Sequence, residues 1–176
     1  MRPHLALFEG EDILEYIDIR TGTGRRTGRT VPRGTKLGEG EYFLAVAVVV
    51  RAGLRWFVTR RSPQKTAPLF WEFPGGGVQA GEDSADAILR EIQEETGLDV
   101  SKAEGGLLFS YRRENIKEGD NYFVDVYRFT MDFTEADVTV QQEEVKGFEI
   151  AGPAEIEKYG KDGIFLHYDS IRQAFK

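Results

Sequence analysis

The run Tyr42-Phe43-Leu44-Ala45-Val46-Ala47-Val48-Val49-Val50 has no polar face. An extended chain turns successive side chains to opposite sides, so a stretch that is β-branched and apolar on both must be buried on both. Such a strand sits inside a sheet that is covered above and below.

The flanking segments supply the cover. The central strand is expected over 41–51, and after the turn Ala52-Gly53 residues 54–60 alternate again to complete a hairpin. A helix starts near Asp83 and Ser84, both capping residue types, and stops at Gly97, where glycine is the natural terminator. Ala85, Ile88, Leu89 and Ile92 are its expected buried stripe. Residues 107–112 and 122–132 read as strands, the second again two-faced. A short strand at 145–150 and helices at 155–159 and 168–175 follow. In front, 13–19 reads as a strand whose Ile13, Glu15, Ile17 and Ile19 face is largely apolar. The stretch 20–40, rich in glycine and arginine, joins it to a short strand at 28–32. Strands on either side of one central helix, with helices at the end, predict an α/β fold with a mixed sheet covered on both faces.

Length and composition exclude several functions. A chain of 176 residues, 40% hydrophobic, can bury one sizeable core but not two, so 1–176 is read as one domain. Cysteine is absent, which removes disulfides, thiolate metal sites and a cysteine nucleophile. No apolar stretch approaches the roughly 18 residues of a membrane span, and Met1-Arg2-Pro3-His4-Leu5 does not open a leader. The expectation is a cytoplasmic protein with no membrane partner. A net charge of −7, from 23 basic and 30 acidic residues, argues against a nucleic-acid partner, because polyanion binding depends on cations. Nucleotides stay possible, since a metal ion can neutralise them.

The chemistry is concentrated in 71–100. Glu91, Glu94 and Glu95 lie three and four residues apart, which puts them on one helix face, where they repel one another by tenths of a kcal/mol per pair. Alone, such a triplet reads as a solvated acidic surface. The loop before it changes that reading: Pro74-Gly75-Gly76-Gly77 can turn sharply and bring bare backbone close to a ligand. Oxygen ligands without His or Cys suit Mg²⁺, with Mn²⁺ as substitute, ahead of Zn²⁺.

Gly76, Glu82, Arg90-Glu91-Ile92, Glu94-Glu95 and Gly97-Leu98, with intervals of five, seven, one and one residues between these groups, match every fixed position of the Nudix box. The chain therefore resembles the Nudix hydrolase superfamily, with the box at 76–98. The resemblance implies an α/β/α sandwich and Mg²⁺-dependent hydrolysis of the diphosphate linkage in a nucleoside diphosphate derivative. By the same resemblance Glu91, Glu94 and Glu95 would hold the metal, with the carbonyl of Gly75 or Gly76. Arg90 would pair with Glu82 and orient the helix. Glu91 or a loop carboxylate, Glu143 or Glu144 ahead of Phe148, would act as base, and the family's frequent homodimers make a homodimer an expected partner state. A catalytically silent nucleotide-binding domain is the alternative.

The first 40 residues resemble the extension of bacterial Nudix proteins related to isopentenyl-diphosphate isomerase. That isomerase depends on a cysteine, so its mechanism is excluded in this chain. Arg60, Arg61 and Lys65, which lead towards the glycine loop, are the preferred phosphate ligands, with Gly76 and Gly77; Arg25, Arg26 and Arg29 fit a solvated hairpin better. Gly22 to Gly28 lacks the Gly-Lys-Ser/Thr ending of a phosphate loop. Phe70 and Trp71 offer rings for a base, or else pack as a buried strand end. Tyr111 with Arg112 and Arg113 is a further possible base-and-phosphate pair, while His4 and His167 carry no expected role.

Overall fold

The computed structural model describes residues 14–175. Strand β3 (Phe43–Ala52) is the two-sided strand the sequence demands. Its Leu44, Val46, Val48 and Val50 enter one apolar core and Ala47 and Val49 the other. On one flank β8 (Tyr122–Thr130) runs parallel to it in unbroken register from Phe43 opposite Tyr122 to Arg51 opposite Thr130. Beyond β8 lies β7 (Glu104–Arg113), antiparallel, bulged between Leu107 and Phe109 and largely exposed.

The other flank of β3 is shared. Its end pairs with β4 (Arg55–Arg61) for only two residue pairs, and its beginning pairs with the three glycines of β6 (Gly75–Gly77). Strand β4 diverges to take β5 (Trp71–Glu72) and β9 (Val145–Ala151) as partners. Strand β6 is not foreshadowed by propensity, since glycine disfavours strands; it exists because β3 offers it a ladder. A Cβ on Gly75 would lie 2.0 Å from the carbonyl oxygen of Val46, so that ladder admits only glycine there.

Helix α1 (Ser84–Thr96) covers one face of the sheet; α2 (Pro153–Lys161) and α3 (Tyr168–Ile171), which a 3₁₀ turn at Arg172–Phe175 extends, cover the other. This is the expected α/β/α sandwich with a mixed sheet. Val48, Val49, Val50, Phe57 and Val58 are fully buried. Each such side chain contributes about 2 kcal/mol, far more than the repulsion along the acidic helix removes.

One expectation needs correction, and one is met. The buried face of α1 consists of Ala87, Ile88, Glu91, Ile92, Glu95 and Thr96, while Ala85 and Leu89 are exposed. Apolar spacing misplaced the stripe because two carboxylates lie on the buried side. The N-terminal strand β1 (Tyr16–Arg20) pairs antiparallel with β2 (Arg26–Pro32), burying Ile17 and Ile19; Ile13 and His4 lie outside the described residues.

This hairpin docks on the loop ahead of α1. The Ala80 amide donates to the Tyr16 carbonyl at 2.8 Å, the Gly81 amide to Asp18 at 2.9 Å, and Arg26 to the Glu82 carbonyl at 2.5 Å. Replacing Gly75 by alanine is expected to cost about 3 kcal/mol, because the Val46 carbonyl is strand backbone and cannot yield. A drop of the denaturant midpoint checks this, and a wild-type midpoint would refute it.

Candidate active site

Helix α1 is fixed at both ends. Asp83 accepts the Asp86 amide at 2.9 Å as N-cap, and Gly97 closes the helix at φ 73°. Between them the helix meets the glycine loop almost in contact. A Cβ on Gly76 would lie 2.5 to 2.6 Å from the carboxylate of Glu91, so the missing side chain is what lets that carboxylate reach the loop.

Arg90 ties the pieces together. It donates to both oxygens of Glu82 at 2.9 Å, to Glu91 at 2.8 Å, to Glu94 at 3.4 Å and to the Gly77 carbonyl at 3.1 Å. The Arg90–Glu82 pair expected from the sequence is therefore present, as part of a larger fan. Burial pushes the Glu82 carboxyl up, but the Arg90 and Gln79 hydrogen bonds outweigh this and hold it below the usual carboxylate range.

Between loop and helix lies a polar cavity of about 110 Å³, whose walls include Gly75, Gly76, Glu91, Glu94, Glu95 and Glu144. The structure thus brings together the whole carboxylate set singled out from the sequence, while Glu143 is not on these walls. Glu91 and Glu95 are 7% and 3% exposed, which is not a solvated surface. Burial raises the Glu91 carboxyl despite Arg90, and raises Glu95 to about 8 despite Lys65. One oxygen of Glu95 is buried without a hydrogen-bond partner.

Among the described residues no three His, Cys, Asp or Glu side chains converge as a ready coordination set. Arg90 draws Glu91 and Glu94 to itself, while Lys65 lies 2.6 Å from Glu144 and 4.0 Å from Glu95. The Lys65 ammonium stands where a cation belongs among these carboxylates. The unpartnered Glu95 oxygen, the all-oxygen donor set and the bare Gly76 backbone fit a hard divalent cation.

A larger cleft of about 270 Å³ shares Arg33, Lys65, Gly75 and Gly76 with the polar cavity and so adjoins it. Gly77 lines it too. The two neighbouring arginines part company here. Arg61 lines the cleft, donating to the Thr66 carbonyl at 2.8 Å and pairing with buried Glu72 at 2.8 Å. Arg60 lines neither cavity; it donates to the Leu69 carbonyl at 3.1 Å and lies over the Trp71 ring. Trp71 is buried and stacked on Tyr159, so of its two readings the packed strand end holds. Arg26 and Arg29 are engaged by Asp18 and Glu41.

Sequence reasoning missed two parts of the cleft. Arg33, from the N-terminal extension, lines both cavities and pairs with Glu15 at 2.8 Å. Tyr111, which the sequence offers beside Arg112 and Arg113, is joined in the cleft by Tyr122 and His167, which it does not, and no spacing in the sequence links the three.

The model of the NUDIX domain matches residues 41–169 of this sequence. The chain belongs to the Nudix family. An uncharacterized Nudix hydrolase of Listeria monocytogenes is 31% identical over 165 residues, covering 92% of this chain and 94% of its own length. The crystal structure of DR0079 from Deinococcus radiodurans superposes with a TM-score of 0.72 at 20% identity, covering 92% of this chain and 97% of that one. An 8-oxo-dGTP diphosphatase of Proteus vulgaris is 37% identical over 59 residues, 34% of this chain and 53% of its own. The protein is thus a Nudix hydrolase, an enzyme acting on phosphoric anhydride bonds, and the fan around Arg90 is the interior of its Nudix box.

The raised carboxyls make stability pH-dependent. A carboxyl raised by burial keeps its proton in the folded state, so its contribution is full below the unfolded value and is lost as pH rises through the folded one. Chelator-treated protein should lose stability between about pH 5 and pH 8, because Glu95 is raised to about 8 and Glu91 and Glu72 are raised with it. Glu95→Gln should flatten that slope in denaturant titrations across this range; an unchanged slope would contradict the assignment.

Proposed function

We propose that this protein is a Mg²⁺-dependent hydrolase that cleaves the diphosphate linkage of a nucleoside diphosphate derivative. The observation that carries the reading is the buried Glu95 oxygen without a partner, beside a Glu91 carboxylate that only glycine at position 76 allows to meet the loop. The nucleotide character of the substrate is supported by the 8-oxo-dGTP diphosphatase relative.

Glu91, Glu94 and Glu95, with the carbonyl of Gly75, would hold the metal; Mn²⁺ meets the same oxygen set. When bound, the ion supplies water activation and neutralises charge developing on the diphosphate. The remaining work falls to the chain. Arg61 and Lys65 face the cleft and bind phosphate oxygens, and Gly76 and Gly77 let the diphosphate approach the backbone. Lys65 has a second task, since without the metal its ammonium neutralises Glu95 and Glu144, the carboxylates that the cation would neutralise when bound. The proton of the attacking water goes to a carboxylate of the polar cavity, for which Glu91, Glu94 and Glu144 are available. Arg90 orients Glu91 and takes no part in bond breaking.

The N-terminal likeness to isomerase-related Nudix proteins enters this reading as an extension that brings Arg33 to the cleft. A cytoplasmic enzyme without nucleic-acid partners fits the net charge of −7. Among the described residues no helix is long and apolar enough to cross a membrane. A homodimer formed through residues 1–40 completes the proposal.

Chromatographic detection of the nucleoside monophosphate formed from a panel of nucleoside diphosphate derivatives, with and without Mg²⁺, tests it. Activity should require the metal, and Glu91→Gln or Glu95→Gln should lower kcat by a hundredfold or more, on the order of losing a charged group in the transition state. Full activity in either variant would remove these residues from the site.

A further inference from the structure

The large cleft holds three polar side chains that do not line the carboxylate cavity and that the hydrolytic reaction does not use. His167 has both ring nitrogens engaged: Nδ1 is 2.9 Å from the Tyr111 hydroxyl and Nε2 is 3.0 Å from the Tyr122 hydroxyl. All three line the cleft beside Phe43 and Phe73. Tyr111 and Tyr122 lie on the same face of neighbouring strands, since Tyr122 pairs with Arg113, two residues beyond Tyr111. His167 arrives from the far layer with a backbone φ of 55°, left-handed for a residue with a Cβ. Side chains held at such a backbone angle cluster where geometry is functionally constrained.

His167 is half-buried and faces Arg113 and Arg61, so burial first and then these cations hold the ring neutral, at about 4. A neutral imidazole has one donor and one acceptor nitrogen. One of the two tyrosine hydroxyls therefore donates to the ring, and the other accepts from it. The hydrogen of the accepting hydroxyl is left for something in the cleft.

We propose that Tyr111, Tyr122 and His167 recognise the nucleoside side of the substrate, with the tyrosine hydroxyl that accepts from the ring donating its own hydrogen to an uncharged acceptor there, a base carbonyl or a ribose oxygen. His167 is a positioning residue that aims this hydrogen. The inference rests on the reading of the polar cavity as the diphosphate site, which leaves the adjoining cleft for the organic group. An alkyl or prenyl group would leave that hydroxyl unpaired, which selects against it.

The test is calorimetric titration, in Mg²⁺ buffer, with the α,β-methylene diphosphate analogues of adenosine, guanosine, cytidine and uridine, and with methylenediphosphonate as the bare diphosphate. Wild type should bind at least one nucleoside analogue well above the diphosphonate. At least one of Tyr111→Phe and Tyr122→Phe should weaken that analogue about tenfold and leave the diphosphonate unchanged. His167→Asn, which tolerates the left-handed backbone, should show the same selective loss. Equal losses for both probes, or none, would overturn the inference. Wild type that binds all probes without preferring a nucleoside overturns it while leaving the diphosphate reading intact. Selective loss in an enzyme that hydrolyses no diphosphate leaves the recognition site standing and removes the hydrolytic reading, and wild type that binds no probe removes both.

Discussion

A carboxylate lies against bare backbone at Gly76, and the site exists because nothing grows from that Cα. The approach of Glu91 to the loop needs the gap left by the missing side chain. That approach in turn fixes the depth of α1, and with it the burial of Glu95 one turn on. The neighbouring Gly75 does the same for the sheet, where β6 can lie on β3 only without a Cβ. Two consecutive glycines thus set two distances, one to a helix and one to a strand.

Charge follows from that geometry. Burying carboxylates is unfavourable unless they are partnered, and the chain supplies two cations from opposite directions. Arg90 comes from within the helix and satisfies Glu82, Glu91 and Glu94 through a planar fork. Lys65 comes from the loop after β4 and lies against Glu144 and Glu95 as a single movable charge. The division suits their chemistry. The rigid fork serves the permanent framework, and the flexible ammonium stands where exchange for another cation is required.

The sequence carried the fold where burial dictates residue type. The absence of a polar face in β3 revealed a sheet covered on both sides, and the ends of α1 were set by Asp83 and Gly97. It failed where structure is imposed by a partner. The strand formed by Gly75–Gly77 has no propensity of its own, and the buried stripe of α1 was misplaced because Glu91 and Glu95 count as polar. The carboxylate set was legible, being contained in a few turns of chain. The cleft was only partly so. Arg60 and Arg61 look equivalent in sequence, and only the pleat of β4 sends one inward. Tyr111, Tyr122 and His167 meet through tertiary structure alone.

The hairpin of β1 and β2 lies ahead of the stretch that the NUDIX model matches from residue 41 onward. Yet its Tyr16, Asp18 and Arg26 hold the backbone of Ala80, Gly81 and Glu82, inside the box itself. The boundary drawn by family likeness and the reach of these hydrogen bonds therefore differ. What looks like an appendage is a brace for the residues immediately preceding the acidic helix. Change in the hairpin is accordingly communicated to the hydrolytic centre through main-chain hydrogen bonds, a route by which a peripheral segment can tune an enzyme without contacting what it binds.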